Sequence, residues 1–144
     1  MFFLYFLVFS IYQWVMVYIG LVLTSFGFFL PAFIAWKKKK WLDAQVSAVL
    51  ATTSVFYHGS LHPLAHQIDL RVAHSVGALS VVRGLHYAYT SRKRIDFVLL
   101  FGTFASIGVY WKKSRIVIDE SSKIWHMVFH VMCESTWICH ALLR

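Results

Sequence analysis

The amino-acid sequence predicts an all-α, polytopic transmembrane helix bundle of about five spans, forming a single domain over residues 1–144. Three observations lead there. Of the 144 residues, 59% are hydrophobic and only 14% are charged, against about 25% charged in a typical soluble chain. Mean hydropathy is high, at +0.63. The basic residues gather in short clusters at 37–40, 92–94 and 112–115, between apolar runs, as loops at a membrane surface do. Too few polar side chains exist to cover a water-soluble surface of this size. An ordinary soluble domain, a disordered chain and a disulfide scaffold are therefore excluded. The formal net charge of +8 reads as topology signal and lipid headgroup contact, not as a nucleic-acid surface.

The first span is expected over 2–36, a run with no charged residue. At about 1.5 Å per residue it makes roughly 52 Å of helix, too much for one upright crossing and too little for two with a turn. One long or tilted helix is expected, frayed near Gly27 and Pro31 and closed by the lysines at 37–40. The run has no basic leading segment and is too long for a cleavable signal peptide, so it reads as a span. The second span, 43–57, contains Ser47, Thr52, Thr53 and Ser54, a polar content suited to facing other helices. A loop from His58 to Pro63 follows, marked by its Gly and Pro. The third span covers 64–89 and the fourth 95–111. Residues 112–122 are the most polar part of the chain, and the fifth span covers 123–143. Cys133 and Cys139, six residues apart on one helix, point to different faces and read as packing residues. Alternation of five spans puts the 37–40 and 92–94 clusters on one side. Basic residues favour the cytoplasm, so the N-terminus is expected outside or in a lumen. The chain is expected to be an integral, multi-pass protein of the endomembrane system or the plasma membrane.

Ionisable residues inside spans are costly and tend to be functional. Here they are His58, Asp69, Arg71, His74, Arg83, His86, His126, His130, Glu134 and His140. His126 and His130 are i and i+4, which puts both imidazoles on one helix face. Ser54 and His58 have the same spacing at the end of span 2. Asp69 lies in the first turns of span 3. Alternation brings the end of span 2 and the starts of spans 3 and 5 to the same membrane depth, although His58 and His130 are 72 residues apart. Three imidazoles with a carboxylate nearby suit zinc, which takes neutral His nitrogens at about 2.0–2.1 Å and keeps a fourth position open in catalytic sites. Asp69 is the candidate general base and Ser54 the candidate donor to an oxyanion. Packed, hydrogen-bonded histidines are the competing reading. Glu134, four residues after His130, is expected to support a ligand or to be a fourth one. His62 and His66 read as interfacial loop histidines, Arg71 as snorkelling to lipid phosphate, His74 as facing the bundle, and Arg83 and His86 as interfacial.

This pattern resembles the CREST group of seven-span membrane hydrolases, which includes alkaline ceramidases, the progestin and adiponectin receptor family and hemolysin-III-like proteins. The resemblance rests on Ser54-Val55-Phe56-Tyr57-His58, on Asp69 and on His126-Met127-Val128-Phe129-His130. It implies zinc held by His58, His126 and His130, with Asp69 and Ser54 beside it, in a shortened form of the seven-span fold. The 11-residue interval from His58 to Asp69 is similar to that of the ceramidases. The implied activity is hydrolysis of a ceramide-like lipid amide, or an ester, by metal-activated water. A receptor-like protein with the same zinc site, a haem-binding electron-transfer protein using paired histidines, and a structural membrane subunit are the alternatives. The partners expected are the bilayer and a membrane lipid substrate, with no nucleic acid. A second copy or a partner chain could complete so short a bundle.

Overall fold

The computed structural model describes residue 15 and residues 18–60, 62–114 and 120–143. Residues 2–14, 16 and 17 of the expected first span lie outside them, as do Arg115 and Asp119 of the polar loop. Among the described residues there are five helices and no strand. These are α1 (Tyr18–Lys37), α2 (Trp41–Ser60), α3 (Pro63–Ser91), α4 (Arg94–Val109) and α5 (Glu120–Leu143). A π-helical turn, Tyr110–Ser114, extends α4.

The expected fraying near Gly27 and Pro31 is confined to one interruption between them, while the second expected break falls elsewhere. Only Phe28 departs from helix, with its N–H donating to Ser25 O at 3.3 Å. The helix resumes over Phe29–Lys37, and Pro31 then sits in the first turn, where backbone N–H groups have no intrahelical acceptor and a missing donor is tolerated. The expected loop at His58 also shifts, because α2 continues to Ser60. The chain turns at His62 instead. This residue is extended (φ −76°, ψ 134°) and its Nδ1 accepts from the Leu64 N–H at 3.2 Å. With Pro63 as the first helical residue, His62 is the N-cap of α3 and not a free loop histidine.

Each helix packs on its neighbours in the chain, and α5 returns to α1, closing a ring. The connections at 38–40, 61–62 and 92–93 are short, which forces antiparallel neighbours. Cross-helix contacts agree. Ser25 meets Ser54 while Ala35 packs with Ala44, so α1 and α2 run in opposite directions. Thr53 meets Asp69 while Asp43 meets Arg83, so α2 and α3 do too. With an odd number of helices the ring closes on a parallel pair. Gly20 of α1 faces Met127 of α5, and Gly27 faces Glu134.

What is buried explains the close approach. Among the described residues, seven of the eleven buried apolar positions are alanine, joined by Ser25, Ser47, Ser54 and Ser106. Small residues let helix backbones come together, as in membrane bundles. At Gly84 an added Cβ would lie 2.9 Å from Leu100 Cδ1, and at Gly27 it would collide with the Glu134 carboxylate. Large apolar side chains, among them Leu23, Phe33, Val82, Phe97 and Phe101, point outward. That inverts the arrangement of a water-soluble core.

Two helices are long and apolar enough to cross a membrane, Tyr18–Lys37 and Arg94–Lys112. The other three are also long, at 20, 29 and 24 residues. Polar groups lower their hydropathy, buried ones such as Asp43, Ser47, Ser54 and His58 on α2 and exposed ones such as His66, Gln67, Arg71, His74 and His86 on α3.

Candidate metal centre

A single buried stripe runs along α2. Asp43, Ser47, Ala51, Ser54 and His58 are all buried, at spacings of three or four residues that keep them on one face. His58 is the last of the stripe. His126 and His130 project from α5, one turn apart. Packing of both α2 and α5 on α1 brings the two helices together here. The three imidazoles present ligand nitrogens that all lie within 4.8 Å of one another. Ring centroids are 5.2 Å apart for His58 and His126, 5.4 Å for His58 and His130, and 4.7 Å for His126 and His130. His58 and His130 are 4% and 3% exposed, and His126 is 9% exposed. The three histidines are close enough together to bind a metal ion.

Two details test whether the donor set fits an ion. His58 Nε2 is buried and has no hydrogen-bond partner in the protein. A buried ring nitrogen left without a partner costs free energy, and a metal would satisfy it. His130 carries the second detail. Its Nδ1 lies 3.1 Å from Thr24 Oγ1, and that hydroxyl donates to Leu21 O at 3.1 Å. A hydroxyl has one proton. With it committed to Leu21, His130 Nδ1–H is the donor to Thr24. The lone pair is then on Nε2. A ring nitrogen opposite the metal commonly makes such a bond, fixing tautomer and orientation.

Asp69, 8% exposed on α3, has its Oδ1 3.0 Å from Thr53 Oγ1, whose one proton it shares with Leu50 O at 3.2 Å. Together with Ser54, Tyr57, His126 and His130 it lines a cavity of about 460 Å³, which continues between α3, α4 and α5 past Ala73, Gly77 and Ile107 to Thr136 and Trp137. Its size falls in the range of about 300–1,000 Å³ for small-molecule pockets. Ser54 has a specific polarity here. Ser25 Oγ donates to Leu21 O at 2.8 Å, so the 3.1 Å contact between Ser25 and Ser54 takes its proton from Ser54. The resting Ser54 hydroxyl therefore offers lone pairs to the cavity, and donation to a ligand requires it to release Ser25.

The remaining candidates are placed as follows. Glu134 is not one of the clustered ligands. It turns toward α1 against Gly27, with Oε1 buried and without a hydrogen-bond partner. His66 stacks on Tyr57 at 4.6 Å, and His74 stacks on Trp111 at 6.2 Å, both at the cavity. Arg71 is exposed on α3. His86 is exposed beside Tyr87, whose ring also meets His140 at 5.5 Å. Arg83, expected at the interface, instead forms a two-point ion pair with buried Asp43, through Nη1 to Oδ1 and Nη2 to Oδ2. Alternation explains it, because the start of α2 and the end of α3 share one end of the bundle.

Sequence reasoning missed Thr24 and Ser25. The available signal was compositional: apart from Ser10 they are the only serine or threonine residues in the uncharged run 2–36.

No family model, curated protein or solved structure matches the chain.

Proposed function

We propose that the chain is a multi-pass membrane protein whose His58, His126 and His130 hold a zinc ion for hydrolysis of a lipid acyl bond, with a ceramide-like amide favoured over an ester. The observation that carries this reading is the convergence of three imidazoles from α2 and α5, with one buried nitrogen lacking a protein partner and another oriented by Thr24. Bound zinc supplies Lewis acidity toward a carbonyl oxygen and lowers the pKa of water toward about 7. The protein supplies everything else. Neutral imidazoles of the cluster act as donors through their lone pairs. Asp69, held by Thr53, sits at the cavity wall as the group that takes a proton and returns it to the leaving amine. Ser54 reorients from Ser25 toward the carbonyl oxygen. The apolar wall formed by Leu70, Ala73, Val76 and Phe129 accommodates a hydrocarbon chain and limits water.

The outward apolar side chains and inward small and polar ones support a bundle surrounded by lipid. In this setting the end with Lys37–Lys40 and Arg92–Arg94 faces the cytoplasm, and the histidine cluster faces outside or a lumen.

Elemental analysis of the protein purified in detergent tests the reading. About one zinc per chain is expected, together with release of fatty acid from ceramide in vesicles. Absence of zinc from wild-type protein that is folded and supplied with the metal would overturn it. Zinc without any turnover of amide or ester lipids would leave the ion as a structural clamp.

A further inference from the structure

A second polar site lies at the opposite end of the bundle. Eight cationic side chains occur there, Lys37, Lys38, Lys39, Lys40, Arg83, Arg92, Lys93 and Arg94, against two carboxylates, Asp43 and Asp96. Both carboxylates are turned inward. Asp43 is 5% exposed and bound by Arg83, while Asp96 is 2% exposed and bound by the Ser91 hydroxyl. The surface of this end therefore has a surplus of positive charge and no exposed acid among its described residues. An open cavity of about 280 Å³ enters it between α2, α3 and α5, bounded by Lys40, Asp43, Arg83, Tyr87 and His140.

Its walls are held in place. Lys40 Nζ donates to Ala141 O at 2.9 Å and Lys38 Nζ to Leu142 O at 2.6 Å, which satisfies terminal carbonyls of α5 and ties the α1–α2 turn to that helix. The Arg83 guanidinium has five N–H donors; Asp43 engages two of its nitrogens and Tyr87 is also hydrogen-bonded to it. The mouth is apolar. Trp41 and Leu42 line the cavity and are exposed, and Lys37 Nζ lies over the rings of Phe33 and Trp36, at 5.4 and 5.3 Å. Tryptophan and lysine together mark the headgroup level of a bilayer.

We propose that this cavity binds the phosphate of an anionic phospholipid, with the headgroup between Lys40 and Arg83 and the acyl chains leaving across Trp41 and Leu42. With the Arg83 fork held by Asp43, the Lys40 ammonium is the direct phosphate donor and Arg83 adds charge beside it, and basic pockets between helices on the cytoplasmic side suit such headgroups. The exposed tryptophan at the mouth favours a lipid over a free anion. The site rests on the membrane reading and is independent of the metal.

The test uses full-length protein in detergent at physiological ionic strength, with dioctanoyl phosphatidic acid, dioctanoyl phosphatidylcholine and inorganic phosphate as separate probes. Native mass spectrometry and thermal denaturation provide the readouts. Phosphatidic acid is expected to bind saturably and to raise the melting temperature, whereas phosphatidylcholine does neither. Lys40→Gln should weaken phosphatidic acid binding about fivefold. Trp41→Ala should weaken it too, without disturbing the α5 cap, which keeps the test decisive if Lys40→Gln unfolds. Lys93→Gln combined with Arg94→Gln, at the same end but outside the cavity, should leave binding unchanged. An equal loss in that pair means diffuse surface attraction and overturns the proposal, as does non-saturable binding. If inorganic phosphate gives the same shift at the same concentration, the lipid assignment is wrong.

Discussion

The two ends of the buried stripe on α2 treat their polar groups in opposite ways. At one end Asp43 meets Arg83 in a two-point pair, so the carboxylate is satisfied within the protein. At the other end His58 presents a buried Nε2 that no protein group satisfies. Both side chains are buried, on one face of the same helix. Burial alone therefore does not separate structural polar groups from functional ones. A structural group closes its bonds locally, since an open one costs free energy. A group that leaves a bond open, beside two others that converge on it, is poised for a ligand.

The sharpest way to break this contrast is at the open end. His58→Ala or His130→Ala should reduce zinc from about one per chain to near zero, because a structural or catalytic zinc requires at least three protein ligands. Retention of the metal in both variants, by elemental analysis, would show that the convergence of the rings is incidental. Asp69→Asn should act differently. The residue lines the cavity and is not one of the clustered nitrogens. Zinc should stay while lipid turnover falls about 10³-fold, as for removal of a general base. Loss of both together would make Asp69 part of the metal site.

The closed end should respond in stability and not in metal. Arg83→Ala leaves Asp43 buried without its partner and should cost about 3 kcal/mol. The double variant Asp43→Leu with Arg83→Met should recover most of it, since replacing a buried pair by apolar groups is often neutral. Zinc content of the folded fraction should be unchanged in both. Denaturation in detergent followed by metal analysis checks both halves, and a zinc loss in Arg83→Ala would couple the two ends.

Much of this layout was legible in the sequence, and for identifiable reasons. Charge clusters and loop residues mark the helix ends, so α3 and α5 are found within a few residues of expectation. The meeting of His58 with His126 and His130 follows from i, i+4 spacing and from alternation of antiparallel helices. The same alternation places Asp43 and Arg83 at one end, but Arg83 taken alone reads as an interfacial residue. Thr24 and Ser25 were invisible for a different reason. In an uncharged run of 35 residues nothing sets the helix register, so the face that meets α5 cannot be read. Only packing reveals it, through the small residues that let α1 approach α2 and α5.

Thr24 provides the finest probe of the contrast, because it acts on the ligand set without belonging to it. Its hydroxyl accepts from His130 Nδ1–H while donating to Leu21 O. Thr24→Val keeps the shape and removes the acceptor, so His130 loses the bond that fixes its tautomer. Metal affinity, measured by competition with a chelator, should fall about tenfold, the lower end of what such supporting contacts contribute. Thr24→Ser should restore it, because serine retains the hydroxyl and can bond the same carbonyl. The stability of the metal-free protein should change little between the two variants. If valine and serine bind zinc equally well, the orientation of His130 comes from packing against Phe28, whose ring lies 5.4 Å away edge-on, and the hydroxyl is a bystander.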